Sequence, residues 1–339
     1  MSPIGPISPM STFPQTLLHW FSENGRDLPW RQTRDPYAIW LSEIILQQTQ
    51  VKQGWDYWER FMRRWPTVDD LAAATEDEVL REWQGLGYYS RARNLHTAAR
   101  QITARGGFPT TYEDIKQLKG VGDYTAAAIA SFAFDIPAAV VDGNVYRVLS
   151  RHYGISTPIN TTEGKHEFAL LAQSLLPTSG SQYNQAIMDF GAIQCTPKSP
   201  DCPSCPLIES CVAFREGRVG ELPVKLKTLK VKERHLIYIY IRCQGYTAIR
   251  RRPAGDIWQG LYEPLLVEQP PCGAVLLHQN VKHVLTHRVL YADFYLMETD
   301  QRPALPDGYF WIPEADIGQY AVPRLIEILL ERLNHQDHG

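Results

Sequence analysis

The stretch Leu118-Lys-Gly-Val-Gly-Asp-Tyr-Thr-Ala126 places two glycines between two apolar, helix-forming segments. A helix running into Leu118 is stopped by Gly120, and a new helix begins after Gly122. The backbone amides just before that helix can face a phosphate group; they belong to Lys119, Gly120, Val121 and Gly122. Alone, such a turn is more simply a plain connection between two helices.

Four of the six cysteines fall close together, as Cys195-x6-Cys202-x2-Cys205-x5-Cys211. Four thiolates so near one another are what a cubane [4Fe-4S] cluster requires. A structural zinc is the alternative, although zinc sites usually have two close cysteine pairs separated by a longer span. We interpret Cys243 and Cys272 as buried or incidental thiols.

Length and composition indicate an ordinary globular protein of two domains. The chain has 339 residues, 44% of them hydrophobic and 21% charged, which excludes collagen, coiled coil and extensive disorder. The longest apolar stretch, around residues 126–136, is shorter than the roughly 20 residues of a membrane span. We expect a cytoplasmic monomer that has no membrane partner.

The hydrophobic pattern changes along the chain. Residues 1–11 contain three prolines and no charge, so we expect a disordered tail. Residues 12–218 follow a helical spacing, whereas Leu236–Ile241 and Val289–Leu296 read as strands and Pro323–Leu333 as one amphipathic helix. The sequence therefore predicts an all-α domain over 12–218, a basic linker over 219–234 and an α+β domain over 235–339.

Two carboxylates are candidates for chemistry. Glu43 shares a helix face with Ile39 and Trp40, and burial there would raise its pKa, as a general acid requires. The simpler alternative is an edge glutamate paired with Arg31 or Arg34.

Asp142 stands where the N-cap of the next helix belongs, so capping amides should keep it ionised. By itself it is a structural cap. One acid that is easily protonated and one that stays ionised suit removal of a base through an oxocarbenium-like transition state.

Taken together, these segments resemble the MutY family of adenine DNA glycosylases in the endonuclease III, helix-hairpin-helix superfamily. The resemblance covers nearly the whole chain. It is carried by LPWR (28–31), WLSEIILQQTQV (40–51), GLGYYSRARNLH (85–96), LKGVGDYTAAAIASF (118–132), VDGNVYRVLSR (141–151) and NQAIMDFGAIQC (184–195).

The resemblance implies an enzyme of base excision repair that flips out adenine mispaired with 8-oxoguanine in double-stranded DNA and removes it. Glu43 would protonate the adenine at N7, and Asp142 would stabilise the oxocarbenium ion. Tyr124 and Asn144 would arrange the charge around them. The implied adenine and lesion contacts are Arg26, Leu28, Trp30, Arg31, Gln185, Gln48, Thr49 and Tyr88.

Position 124 separates the relatives. The lyases of this superfamily carry a lysine there that attacks the sugar as an amine, and Tyr124 cannot form a Schiff base. The resemblance therefore implies hydrolysis to an abasic site. The alternatives are an endonuclease III-like lyase for oxidised pyrimidines and a lesion-binding protein with decayed chemistry; the presence of both Glu43 and Asp142 speaks against decay.

The stretch from Arg251 to Glu263 resembles the entry of a Nudix-like domain that reads 8-oxoguanine. After Glu263 only Glu268 occurs before residue 298, too few glutamates for the metal of a Nudix pyrophosphatase. The family's reading loop carries Phe-Ser-His, and here Leu285-Thr286-His287 takes that place. Thr286 and His287 are thus expected lesion contacts, while Leu285 loses an aromatic ring.

Net charge does not decide the partner. The whole chain carries −3, from 34 basic and 37 acidic residues. Placement matters more: Arg91 and Arg93 near Tyr88, Lys116 and Lys119 at the hairpin, and the linker lysines could face phosphates.

Overall fold

The computed structural model describes residues 12–178, 180–227 and 231–336. The expected tail over 1–11 lies outside them. The chain forms two compact units, Met1–Gln50 with Gln101–Lys227 and Val51–Arg100 with Thr228–Gly339.

The described residues contain thirteen α-helices. They are α1 Thr12–Asn24, α2 Pro36–Leu46, α3 Val51–Arg64, α4 Val68–Ala73, α5 Glu76–Trp83, α6 Ser90–Ala104, α7 Tyr112–Lys116, α8 Asp123–Phe134, α9 Gly143–Tyr153, α10 Thr162–Ser174, α11 Gly180–Asp189, α12 Val212–Arg215 and α13 Arg324–Gln336. Short 3-10 turns cover Pro29–Arg31 and Glu314–Gln319, and a π turn covers Phe190–Gln194.

The first unit is helical, and α2 lies at its centre. Pro36 opens α2, and Asp35 caps it by accepting a hydrogen bond from the amide of Tyr37. Nine of its eleven residues are buried, and α8 and the 3-10 turn Pro29–Arg31 pack against it. Glu43 is therefore enclosed on a helix that is apolar on nearly every side, not at the edge of a stripe.

The second unit contains two sheets. The larger has the strand order β4-β1-β6-β5 and the smaller the order β3-β2-β7. Strands β1 and β6 are parallel, and the other pairs are antiparallel. The strands are β1 Lys232–Arg242, β2 Tyr246–Arg251, β3 Tyr262–Glu263, β4 Leu265–Val267, β5 Val275–Val284, β6 Arg288–Glu298 and β7 Tyr309–Pro313.

Helix α13 covers the larger sheet. Its Leu325, Ile326 and Leu329 are fully buried in one core with Tyr238 and Phe294 of the sheet. The two predicted strands and the predicted C-terminal amphipathic helix are confirmed, as is the fold class of a helical domain followed by a strand-containing one. Strand β1 begins at Lys232, so the sheet takes up the last residues of the expected linker.

The compact units cut across the expected division at residue 218, because α3 to α5 contact the C-terminal part of the second unit. Arg251 lies 2.8 Å from Glu76, and the Tyr262 hydroxyl donates to Asp77 at 2.9 Å. Gln84 donates to Glu327 at 2.6 Å. The sequence boundaries of the two domains stay a prediction.

Among the described residues, no helix is both long and apolar enough to cross a membrane.

Candidate active site and cysteine cluster

Glu43 and Tyr124 meet in the first unit, from α2 and from the first turn of α8. The Tyr124 hydroxyl donates to Oε2 of Glu43 at 2.9 Å. Only 6% of Glu43 is exposed. The simpler alternative pairs Glu43 with Arg31 or Arg34. Both arginines have other acidic partners: Arg31 forms an ion pair with Asp189, and Arg34 lies 4.0 Å from Asp135.

Burial raises the pKa of Glu43 to about 7. The hydrogen bond from Tyr124 and the charge of Arg31 act in the opposite direction, whereas the negative charge of Asp142 raises this pKa further. The same surroundings raise the pKa of Tyr124 well above its usual value, chiefly through burial. Glu43 therefore holds its proton near neutral pH, which is the condition that a general acid needs.

Asp142 caps α9, as the sequence predicts. Its Oδ1 accepts from the backbone amides of Asn144 and Val145, both at 2.8 Å, and its Oδ2 accepts from the Asn144 side-chain amide at 2.7 Å. The expected depression of its pKa is wrong in direction: burial raises the pKa of Asp142, although these three hydrogen bonds lower it. The two acids differ in their donors, one for Glu43 and three for Asp142.

Asn144 is itself held by Arg147. Nη2 of Arg147 donates to Asn144 Oδ1 at 2.8 Å, and its Nε donates to the carbonyl of Cys195 at 2.7 Å. Gly191, in the π turn, packs so closely that an added Cβ would lie 2.6 Å from Cβ of Asn144. A continuous set of contacts thus joins the first cysteine to Asp142.

The predicted adenine contacts Arg26 and Arg31 converge on Asp189, a fully buried carboxylate. Arg26 donates its backbone amide and its Nε, each at 2.9 Å, and Arg31 donates from both terminal nitrogens at 2.8 and 2.7 Å. Burial would raise the pKa of Asp189, but the hydrogen bonds and charges of the two arginines outweigh it, so the pKa is lowered. Leu28 and Trp30, between the arginines in sequence, are buried, and Gln185 on α11 is half-buried.

Sequence reasoning missed Asp189. The segment NQAIMDFGAIQC (184–195) shows Asp189 as a single acid, and no basic residue lies within that segment to indicate its partners.

The hairpin forms between α7 and α8 as expected. Gly120 has φ +80°. Gly122 is the N-cap residue of α8, and α8 has no side-chain capping hydrogen bond there. The backbone amide of Lys119, one of the amides expected to face a phosphate, donates to the side-chain oxygen of Gln101 at 2.8 Å. Lys116, expected to face a phosphate, forms an ion pair with Asp123.

Gln48 and Thr49 lie in the turn that follows α2. Gln48 is exposed and has φ +58°, an uncommon conformation for a residue with a side chain. The Thr49 amide donates to the carbonyl of Leu46 at 3.1 Å. The turn therefore presents Gln48 at the surface of the first unit.

Tyr88 and Thr286 come together in the second unit. Their hydroxyl oxygens lie 2.7 Å apart. Tyr88 also has a positive φ, +45°, and half of it is exposed. Gln48 and Tyr88, both implied lesion contacts, thus adopt strained backbone, a feature that clusters at functional sites.

The two arginines near Tyr88 that we expected to face phosphates instead donate to backbone carbonyls of the protein. Arg91 is buried, and its guanidinium lies 5.6 Å from the Tyr88 ring centroid and donates to the carbonyls of Leu86 and Gly87. Arg93 donates to the carbonyl of Gln259 at 2.7 Å. Arg91 therefore supports the loop that carries Tyr88.

The expected reading loop, Leu285 to His287, is the connection between β5 and β6. Thr286 and His287 are exposed. Leu285 is partly buried and packs against the core beneath α13. Leu285, in place of the family's phenylalanine, therefore attaches the loop to the core, whereas Thr286 and His287 remain exposed.

The four clustered cysteines line one common cavity, together with Arg151. Arg151 donates to Sγ of Cys195 at 3.4 Å and to the carbonyl of Thr196 at 2.7 Å. Within the described ranges, no three histidine, cysteine or acidic side chains are grouped so as to hold a single metal ion. Cys243 is buried and Cys272 is exposed.

Two family models match the chain. Residues 41–173 match the HhH-GPD superfamily base excision DNA repair protein, and residues 237–332 match the NUDIX domain. An adenine DNA glycosylase of Buchnera aphidicola subsp. Schizaphis graminum is 36% identical over 254 residues, which cover 74% of this chain and 73% of that protein. The chain belongs to the adenine DNA glycosylase family.

Other comparisons agree with membership of the adenine DNA glycosylase family. The rat adenine DNA glycosylase is 44% identical over 232 residues, covering 64% of this chain and 45% of that protein. A thermostable thymine-DNA glycosylase is a structural neighbour at TM-score 0.57 and 32% identity, covering 60% of this chain and 96% of that one. An endonuclease III–DNA covalent intermediate, at TM-score 0.53 and 24% identity, shares the fold over 60% of this chain and 94% of its own.

Proposed function

We propose that this family member flips adenine out of double-stranded DNA opposite 8-oxoguanine and hydrolyses its N-glycosidic bond, leaving an abasic site. The observation that carries the proposal is the buried carboxyl of Glu43, whose pKa of about 7 lets it hold a proton at neutral pH. Flipping brings the base to such a buried acid, which a base stacked in a duplex could not reach.

The chemistry needs both carboxyls. Glu43 gives its proton to N7 of adenine, the glycosidic electron pair leaves with the base, and the sugar becomes an oxocarbenium ion. Asp142 stabilises that positive charge, and its hydrogen bonds from Asn144 and two amides hold it in place. Water then attacks C1′ and returns a proton to Glu43, which restores the enzyme.

Tyr124 supports a monofunctional reaction. A phenol cannot form the imine that a lyase needs, and the hydroxyl here is engaged with Glu43. Tyr124 thus orients the acid and lowers its pKa toward neutrality.

The residues around Asp189 would hold the flipped adenine. Asp189 holds Arg26 and Arg31 in place, and the same segment carries the buried apolar side chains of Leu28 and Trp30. The amide of Gln185 can pair with an adenine edge. Arg31 also acts on Glu43 through its charge. The base-holding residues and the acid are therefore electrostatically linked within one unit.

The lesion would be read by Tyr88, Thr286 and His287 of the second unit. Gln48 and Thr49 of the first unit remain lesion contacts that the sequence resemblance implies. Recognition in place of pyrophosphate hydrolysis is supported by Glu263, which is fully buried. Its oxygens accept from Arg250 at 2.9 Å and Tyr238 at 3.0 Å, and it is ion-paired with Arg252. Both oxygens of this carboxylate are thus engaged by protein groups.

The four cysteines that line the common cavity would hold a [4Fe-4S] cluster. The donor set fits, since four thiolates are what the cubane cluster takes. Bound there, the cluster would tie residues 195–211 together through four Fe–S bonds. Arg147 and Arg151 already connect that segment to α9 through backbone carbonyls.

Free adenine and the state of the DNA strand test the proposal. A duplex with one 8-oxoguanine:adenine pair is incubated with excess enzyme, and samples are analysed with and without hot alkali. Adenine release with strand breaks only after alkali is the expected result. Breaks without alkali, together with a covalent adduct trapped by borohydride, would instead establish a lyase.

A further inference from the structure

Three basic side chains share one face of the larger sheet at the end that carries the reading loop. In the parallel pairing of β1 with β6, Lys232 stands opposite Arg288, and Arg234 is two residues further along β1. Because side chains alternate along a strand, Lys232, Arg234 and Arg288 point to the same face. The amide of Lys232 donates to the carbonyl of His287 at 3.1 Å, which places these cations directly beside the loop.

These cations outnumber the acid among them. Asp256 accepts from Arg234 at 2.8 and 2.6 Å, from Arg252 at 2.7 Å and from Arg288 at 3.3 Å. Partial burial raises the pKa of Asp256, but the hydrogen bond from Arg234 and the other contacts outweigh it and lower the pKa. Arg252 also pairs with Glu263, so Asp256 is left to balance Arg234 and Arg288, and together with Lys232 these two arginines leave an excess of positive charge.

The excess charge is accessible. The side chains of Arg234 and Arg288 are 34% and 38% exposed, and Lys232 is exposed, whereas Arg252 is 2% exposed. Arg324 of α13 provides a contrast: it is 54% exposed but forms ion pairs with both Glu327 and Glu331.

We propose that Lys232, Arg234 and Arg288 bind backbone phosphates of the DNA strand whose base meets the loop Leu285–His287. A planar guanidinium matches a phosphate with two parallel hydrogen bonds, and Asp256 holds two of these groups in position for it. The loop selects the base, and the three cations fix the register of the strand against it. This surface rests on the proposed function, since it requires DNA to meet the reading loop.

The salt dependence of DNA binding tests the surface. Dissociation constants of wild type, Arg288→Gln and Arg324→Gln are measured by fluorescence anisotropy on an unmodified duplex across a sodium chloride series. Arg288→Gln should bind about 3- to 10-fold more weakly at low salt, and the slope of log K against log salt should fall by about one, as for one lost phosphate contact. Arg324→Gln should match wild type. An unchanged slope in Arg288→Gln, or an equal loss in Arg324→Gln, would overturn the proposal.

Folding does not obscure the result. Asp256 keeps Arg234, Arg252 and the amide of Ile257 when Arg288 is replaced, so the melting temperature should not change. Lys232→Gln offers a second variant with the same expected loss, and in the double variant the two fold-changes should multiply and the slope should fall by about two. The proposed function is tested separately: a wild type that releases no adenine from the 8-oxoguanine:adenine duplex would refute it, while the salt slopes on the unmodified duplex would still test the surface.

Discussion

The hydroxyl of Tyr124 donates a hydrogen bond to Oε2 of Glu43, with 2.9 Å between the two oxygens. The contact joins α2 to α8, 81 residues apart, and it acts on the pKa of the acid that we assign to the protonation of adenine. Burial and this hydrogen bond oppose each other, and burial prevails.

The pH dependence of adenine release should follow Glu43. A general acid works while protonated, so the single-turnover rate should fall as pH rises through about 7. Tyr124→Phe removes the bond that favours the carboxylate, so the pKa should rise and the alkaline limb should move to higher pH. Tyr146→Phe removes a hydroxyl from a ring that packs against Phe168, and it should leave the limb in place. An unmoved limb in Tyr124→Phe would contradict our assignment.

Gly191→Ala should impair the site through Asn144. The new methyl group would lie 2.6 Å from Cβ of Asn144, so Asn144 must move away from Asp142. We expect a loss of about 1–3 kcal/mol in the free energy of unfolding and a slower adenine release. Gly143→Ala is the matched control, because an added Cβ there meets nothing within 4 Å. Equal rates for the two variants would show that the close packing is unimportant.

Asp189→Asn should destabilise the first unit by about 3–5 kcal/mol at pH 7, because two arginines lose a buried partner. The folded-state pKa of Asp189 is lowered, so its contribution is present above the unfolded pKa near 4 and is lost as pH falls through the folded value. Urea unfolding of wild type and variant at several pH values measures the difference, which should shrink below about pH 4. A difference independent of pH would mean that charge is not the cause.

Tyr88 and Thr286 should be coupled in lesion discrimination. Because their hydroxyls share a hydrogen bond at 2.7 Å, removing either one disrupts the same contact. Tyr88→Phe and Thr286→Val should each reduce the preference for 8-oxoguanine over guanine opposite adenine, and the double variant should lose less than the product of the two. Purely multiplicative losses would show that the residues act independently.

Local spacing predicted the parts of the site that are close in sequence. Asp142 caps α9 through amides two and three residues away, and the glycine hairpin forms within nine residues. Asp189 could not be found this way, since Arg26 and Arg31 lie 163 and 158 residues before it. Its role exists only once α11 packs beside the N-terminal segment.

Burial explains the other differences. The sequence correctly predicts the donors of Asp142, but the sign of its pKa shift depends on how far the surrounding helices exclude water. Likewise, Arg91 reads as a surface cation, yet the loop around Tyr88 folds its guanidinium against two carbonyls. Segment 51–100 joins the C-terminal part through pairs such as Glu76 with Arg251, 175 residues apart, which no local pattern reveals.

The most direct test of the central claim compares wild type with Glu43→Gln in single-turnover adenine release from an 8-oxoguanine:adenine duplex at pH 7. Glutamine keeps the size of the side chain but cannot donate an acidic proton. We expect the rate to fall by about 10²–10⁴-fold while the variant still binds the duplex. Equal rates for the two proteins would contradict the assignment of Glu43 as the general acid.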